Sequence, residues 1–221
     1  MRNAVACAGC PGGKRKSNAG RRFPPEVLSQ AEVLRLLEAC SPGPMGVRNR
    51  AMLAVLYRSG LRISEALKLE AKDLDLDAGA IRVLHAKGGR SRTVGIDPTA
   101  SAMVIRWMEV RATLGVPVGR PVFCMADGRP LYHGYIRVLM PRLGRLAGIE
   151  KRVHAHGLRH AHASELRREG VDIAVISRQL GHRSIATTST YLNHLEPYAV
   201  VEAMRSRVWS ARPSVSEPAQ R

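Results

Sequence analysis

Four short segments of the 221-residue sequence carry side chains able to bind or attack a phosphate group. In 57–67, YRSGLRISEAL, Arg62 follows closely on a glycine that can end a helix, so its side chain leaves a defined corner. Glu65 lies three residues on, close enough on a helix to share that face. A guanidinium is planar and permanently charged and holds a phosphate through two donors; the plainer alternative is a surface ion pair worth about 0.5 kcal/mol. In 86–92, AKGGRSR, the residues Lys87, Arg90 and Arg92 crowd a turn thinned by Gly88 and Gly89. Such a tip fits a nucleic-acid groove, where an ammonium, unlike a guanidinium, can also give up a proton; the alternative is a solvated basic turn.

The third segment is 154–162, HAHGLRHAH. His156 and Arg159 share a helical face, and so do His156 and His160. The first pair suits a phosphate, whereas the second could grip a metal. Metal ligation wants a third ligand and a supporting outer shell, and Glu165, the nearest acid downstream, completes no metallohydrolase spacing. A histidine cluster in the core or on the surface is the other alternative. In 180–194, LGHRSIATTSTYLNH, His182 stands nine residues before Tyr191 across a run of small hydroxylated residues. A phenol is a poor nucleophile at its ordinary pKa near 10, so it reacts only in a charged site around the phosphate. Most tyrosines pack instead, as is expected of Tyr57, Tyr132, Tyr135 and Tyr198.

Helices must position most of these groups. Ser29 and Glu32 form a capping box before a helix ending near Cys40. A second helix is expected over 47–59, with Gly60 as its left-handed stop, and a third starts at Ile63. From Leu74 to Ile96 the period changes. Residues 81–86 and 92–96 are β-prone and are joined around Gly88-Gly89, which predicts a hairpin. Helices resume at about 98–113, 132–147, 157–169, 172–180 and 184–192. A last amphipathic piece runs through Ala199, Val200, Ala203, Met204 and Val208, which either folds back on the core or docks elsewhere. The fold class is therefore mainly α with a small antiparallel β-sheet, and there is no internal repeat.

The ends differ from this folded part, 23–210. Residues 1–22 carry Arg2, Lys14, Arg15, Lys16, Arg21 and Arg22 without one acid and without an apolar period, which predicts a mobile basic arm. Residues 211–221 are polar and contain proline, as a flexible tail would. Over the whole sequence 35 Lys and Arg face 18 Asp and Glu, a net charge of +17. That balance implies a polyanionic partner, nucleic acid by default, although a basic membrane-surface protein would share it. No apolar stretch approaches the ~18 residues of a membrane span, and no leader pattern opens the sequence. Four cysteines do not make a disulfide framework, so a reducing, cytoplasmic setting is expected. Cys7 and Cys10 form a lone CxxC; Cys40 and Cys124 supply no second pair for zinc, which leaves a thiol pair in the arm.

Taken together and in order, the four segments resemble the tyrosine recombinase (phage integrase) family, of the Xer-like or short single-domain invertase type. The match comprises GLRISEAL at 60–67, a hairpin lysine at 87, HGLRH at 156–160 and LGH…TT..Y ending at Tyr191, and it extends over roughly 23–210. The resemblance implies the tyrosine recombinase catalytic fold and a DNA strand exchange through a 3′-phosphotyrosine. Tyr191 would attack the scissile phosphate, Arg62 and Arg159 would clamp its oxygens, and Lys87 would protonate the departing 5′ oxygen. His156 fits a proton shuttle at the tyrosine, and His182 a hydrogen-bond donor to the phosphate. Glu65 takes a supporting role, orienting its neighbours. Arg90, Arg92, Lys14, Arg15 and Lys16 are expected to contact DNA. No metal, cofactor or ATP enters this scheme.

The implied partners are double-stranded DNA and further copies of the chain, up to a tetramer on DNA at the nucleoid. Only 22 residues precede the folded part, where many family members carry a core-binding domain of roughly a hundred residues. That difference fits either a single-domain recombinase or an excised catalytic domain. Two other classes compete. A non-catalytic DNA-binding regulator, or a decayed recombinase, would use the charge alone, and a metal-dependent nuclease would use the histidines.

Overall fold

The computed structural model describes residues 26–84, 91–182, 184–195 and 199–207. The basic arm, Cys7 and Cys10, the hairpin tip with Lys87 and Arg90, Tyr198 and the C-terminal tail lie outside them. Helix α1 (Gln30–Glu38) begins as its sequence predicts: the Ser29 hydroxyl accepts the Glu32 amide, and the Glu32 carboxylate accepts the Ser29 amide at 2.7 Å. Helix α2 (Pro44–Arg58) starts three residues before the expected 47, because Pro44 occupies the first helical position with its φ already set. Ala51, Met52, Leu53, Val55 and Leu56 are all buried, so α2 is apolar on every side and forms the central rod of the domain. It packs against α4 (Pro98–Thr113) and α6 (Ala155–Arg168).

Gly60 ends α2 with φ 62, the left-handed stop expected of it, and the four-residue α3 (Ile63–Ala66) follows at once. The sheet is β1 (Leu74–Asp75), β2 (Ala80–Val83) and β3 (Arg92–Gly95), in that order and antiparallel throughout. Ile81 pairs with Val94 and Val83 with Arg92, and Ile81, Val83 and Val94 face the core. β1 has too few residues to show a period, and the sequence does not reveal it.

α5 spans His133–Leu146, α7 Ile173–Leu180, α8 Ile185–Leu195 and α9 Ala199–Arg205. α6 begins two residues earlier than expected, because the His154 ring accepts the Gly157 amide and caps it. α8 runs past the expected 192 to bury Leu195. In α9, Val200, Val201 and Met204 stay exposed, so this helix does not fold back on the core. Tyr57 is buried and Tyr135 packs on the core, but Tyr132 is 68% exposed, because its place at the start of α5 turns its ring outward over Gly134.

Apolar packing divides in two. The main core joins α1 to α6 with the sheet. A smaller cluster of Ala163, Ile176, Leu180, Leu192 and Leu195 sits between α6, α7 and α8. Among the described residues no helix is long and apolar enough to cross a membrane.

Candidate active site

The first corner is a buried acid shared by two arginines. Glu65, 4% exposed, is the third residue of α3 and accepts both the Arg62 backbone amide at 2.9 Å and the Arg62 guanidinium at 3.1 Å. Arg92 arrives from β3 and donates through both terminal nitrogens to the two carboxylate oxygens, 2.9 Å each. Burial alone would raise the Glu65 pKa, but the hydrogen bonds and charges of Arg92 and Arg62 outweigh it and hold the carboxyl below the usual range. Glu65 thus fixes Arg62 at the corner, its side chain 30% exposed. Arg92, expected at the DNA surface, is turned inward in an ion pair.

Arg159 joins the separated segments. It is 1% exposed and donates to the carbonyl of Gly60, ahead of Arg62, and at 2.6 Å to that of Leu180, ahead of His182. It also lies 3.3 Å from His182 Nε2. A guanidinium has no acceptor, so that ring nitrogen is unprotonated here and Nδ1–H donates to the Thr188 hydroxyl at 2.8 Å. Burial, with the nearby charge of Arg62, lowers the Arg159 pKa to about 10, which leaves it charged at neutral pH. Burial and the charges of Arg159, Arg62 and Arg92 lower His182 to about 4.

Tyr191 projects from α8 into this group. Its hydroxyl lies 2.8 Å from Nδ1 of His160 and its ring stacks on that imidazole at 5.3 Å and 25°, with His182 edge-on at 5.4 Å. Burial pushes the phenol up to about 12, against the opposing pull of Arg159 and Arg62. His156 shares the α6 face with His160, ring centroids 4.4 Å apart; it keeps one side open to solvent, and the desolvation of its other side, with Arg159, His154 and Arg62, lowers its pKa. Glu165, weighed as a metal ligand, is bound instead to the Tyr57 hydroxyl at 2.8 Å and to Arg58 at 2.7 Å.

The structure therefore brings together Arg62, Glu65, Arg159, His182 and Tyr191 with His156 at their edge; Lys87 and Arg90 lie outside the described residues. Two site residues went unassigned in the sequence. Thr188 stood in the TT..Y pattern without a role, and His160 was weighed only as a metal ligand. A cavity of about 460 Å³ beside the start of α6 adds Arg137, Arg145 and Arg152 to the basic surface. These arginines lie on α5 and the following loop and form no motif, so spacing could not single them out.

A mainly helical domain with a small antiparallel sheet thus brings two arginines, histidines and a tyrosine from separate segments together. The Phage integrase family profile matches residues 26–197, and the chain belongs to that family. Similar relatives are tyrosine recombinase XerC of Xanthomonas axonopodis pv. citri (strain 306), 37% identical over 182 residues, 82% of this chain and 58% of the relative, and XerD of Bifidobacterium longum (strain NCC 2705), 31% identical over 198 residues, 85% and 64%. The chain thus spans less than two thirds of the curated relatives it matches. Among solved structures, XerA recombinase aligns with TM-score 0.73 at 31% identity over 87% of this chain and 69% of that one. XerH bound to palindromic difH substrate in a post-cleavage complex aligns with TM-score 0.70 at 27% identity, over 86% and 55%.

Proposed function

We propose that this chain is a site-specific DNA recombinase that cleaves and rejoins DNA through a 3′-phosphotyrosine at Tyr191. The observation that carries this reading is the seat of the Tyr191 hydroxyl on the same helix turn as Arg159, which is itself tied to the segments bearing Arg62 and His182. Tyr191 attacks the scissile phosphorus and displaces the 5′ oxygen. Arg62 and Arg159 hold the non-bridging oxygens as charge builds there, a role for which the loss of one donor typically costs about 3 kcal/mol of barrier. Lys87 protonates the leaving oxygen, His156 shuttles a proton at the tyrosine, and His182 donates to the phosphate once its Nε2 carries hydrogen. Glu65 orients Arg62 and Arg92. The protein–DNA ester stores the bond energy, so religation needs no nucleotide, and the arginines and lysine supply the positive charge a metal would bring.

Residues 23–210 are the catalytic domain in this reading, 1–22 a basic arm and 211–221 a tail. DNA contacts come from Arg90, Arg137, Arg145 and Arg152, with Lys14, Arg15 and Lys16 in the arm. The exposed apolar residues of α9 favour docking on a second copy over a fold-back, so copies assemble on DNA up to a tetramer, in the cytoplasm at the nucleoid. The test is an end-labelled suicide substrate in EDTA without nucleotide. The chain should give an SDS-resistant adduct, and Tyr191→Phe should bind DNA equally and give none. An adduct from Tyr191→Phe, or a strict need for Mg²⁺ in cleavage, overturns the proposal.

A further inference from the structure

Each histidine of the HAHGLRHAH segment has a different occupation. His154 caps α6, His156 faces outward, and His162 is sealed beneath Gly60; His160 alone touches the Tyr191 hydroxyl, at 2.8 Å through Nδ1. We propose that His160 is the positioning residue for the nucleophile, its Nδ1 accepting the phenolic hydrogen so that the Tyr191 oxygen, beside the Arg159 guanidinium, presents a lone pair toward the phosphate. The proposal deepens the reading of Tyr191 as nucleophile and rests on it.

Three observations support it. The ring contact is stacked, at 5.3 Å and 25°, so His160 holds both the plane of the phenol and the direction of its hydrogen. Among the described residues the neighbouring groups offer no other acceptor of this kind. Arg159 only donates, and both ring nitrogens of His182 are engaged, with Arg159 and with Thr188. Finally, His160 keeps its lone pair. It is faced by His156 and Arg159 on its own helix, by His154 at the cap of that helix, and from α8 by His194 and the phenol; burial first, then the unfavourable interaction with a second charge on these histidines and with Arg159, holds its pKa near 3. A neutral imidazole is thus available throughout the physiological range. Because His160 follows Arg159 on α6, the grip on the nucleophile and the grip on the phosphate move as one rigid piece.

A hydrogen bond to a neutral acceptor also raises electron density on the phenol oxygen without removing its proton. The effect belongs to the attacking side of the reaction. It is therefore separable from Lys87, which acts on the leaving side.

The experiment measures single-turnover adduct formation by the full chain on two substrates, one with the natural 5′ bridging oxygen and one with sulfur there, whose leaving group hardly needs protonation. His160→Ala should bind DNA as the parent does and form adduct slower by on the order of 10²-fold on both substrates, the scale of a misplaced reacting group. His160→Asn, whose side-chain oxygen can accept the same hydrogen, should recover a large part of the rate, whereas Lys87→Ala should be rescued by sulfur alone. Should His160→Ala fold poorly, the comparison of His160→Asn with the apolar His160→Leu carries the same test. The proposal is overturned by an unchanged rate in His160→Ala, by rescue of that variant with sulfur, or by His160→Asn performing no better than the apolar variant. Failure of the parent itself to form adduct on DNA it binds would instead overturn the recombinase reading.

Discussion

The histidines show how one residue type divides into separate tasks through burial. His162 is 3% exposed, its ring nitrogens have no hydrogen-bond partner among the described residues, and its ring fills the space beneath Gly60. Burial, with the charges of Arg58 and Arg159 against the smaller opposite effect of Asp97, lowers its pKa to about 4. An unfolded histidine protonates below about 6.5, so between these values the unfolded chain binds the extra proton. The stability of the neutral buried ring is complete above pH 6.5 and is lost as the pH falls toward 4. Within that window each such ring adds up to about 1.4 kcal/mol per pH unit to the slope, and His160 and His182, lowered to about 3 and about 4, steepen it further. His162→Leu should flatten the slope by that amount, measured as urea unfolding free energy from pH 7.5 to 4.5; a slope equal to the parent's would mean the ring is charged or hydrated in the fold. The sequence showed the cluster and its shared face. It could not show which ring was sealed, which capped a helix and which met the tyrosine, since those differences arise from what packs across from α6. Arg92 was misjudged for the same reason: a basic residue beside a turn looks exposed until its buried carboxylate partner, distant in sequence, is seen.

Elements were more legible where local chemistry decides them. The Ser29 capping box, the break after Ser59 and the full span of α4 behind Asp97 and Pro98 all followed from nearby residues. The shifted starts of α2 and α6 came from Pro44 and from the His154 cap, and β1 exists only because β2 lies beside it. Gly60 carries the heaviest positional demand of these junctions. It has φ 62, and a Cβ there would sit 2.5 Å from His162 and 3.1 Å from Leu180. Gly115 has φ 67 with nothing within 4 Å, so it shares the conformation without the crowding. Gly115→Ala should cost about 1 kcal/mol from the left-handed backbone alone. Gly60→Ala should cost about 1–3 kcal/mol more, as overpacking does, and should slow adduct formation as well, because the Gly60 carbonyl anchors Arg159. Thermal melting of the two variants side by side checks this; equal losses would show that the neighbourhood of Gly60 yields freely.

Across the whole molecule a charge of +17 should make the proposed DNA binding strongly dependent on salt, and the six cations of residues 1–22 are the part of that charge separable from the site. Each phosphate they neutralise adds roughly 0.9 to the slope of log affinity against log salt. Deleting 1–22 should flatten that slope and leave the preferred sequence unchanged; an unaltered slope would mean the arm does not touch DNA. The division of the apolar interior has a different consequence. The helix bearing Tyr191 rests on Ala163, Ile176, Leu180, Leu192 and Leu195, a patch much smaller than the core that holds α2 and the sheet. Small clusters open at lower free energy than the fold as a whole, as separate cooperative units. Amides of α8 should therefore exchange with deuterium well before those of α2. On warming, the proposed capacity to form an adduct should vanish while most of the circular dichroism persists, so the temperature of inactivation would measure the footing of Tyr191 rather than the integrity of the domain.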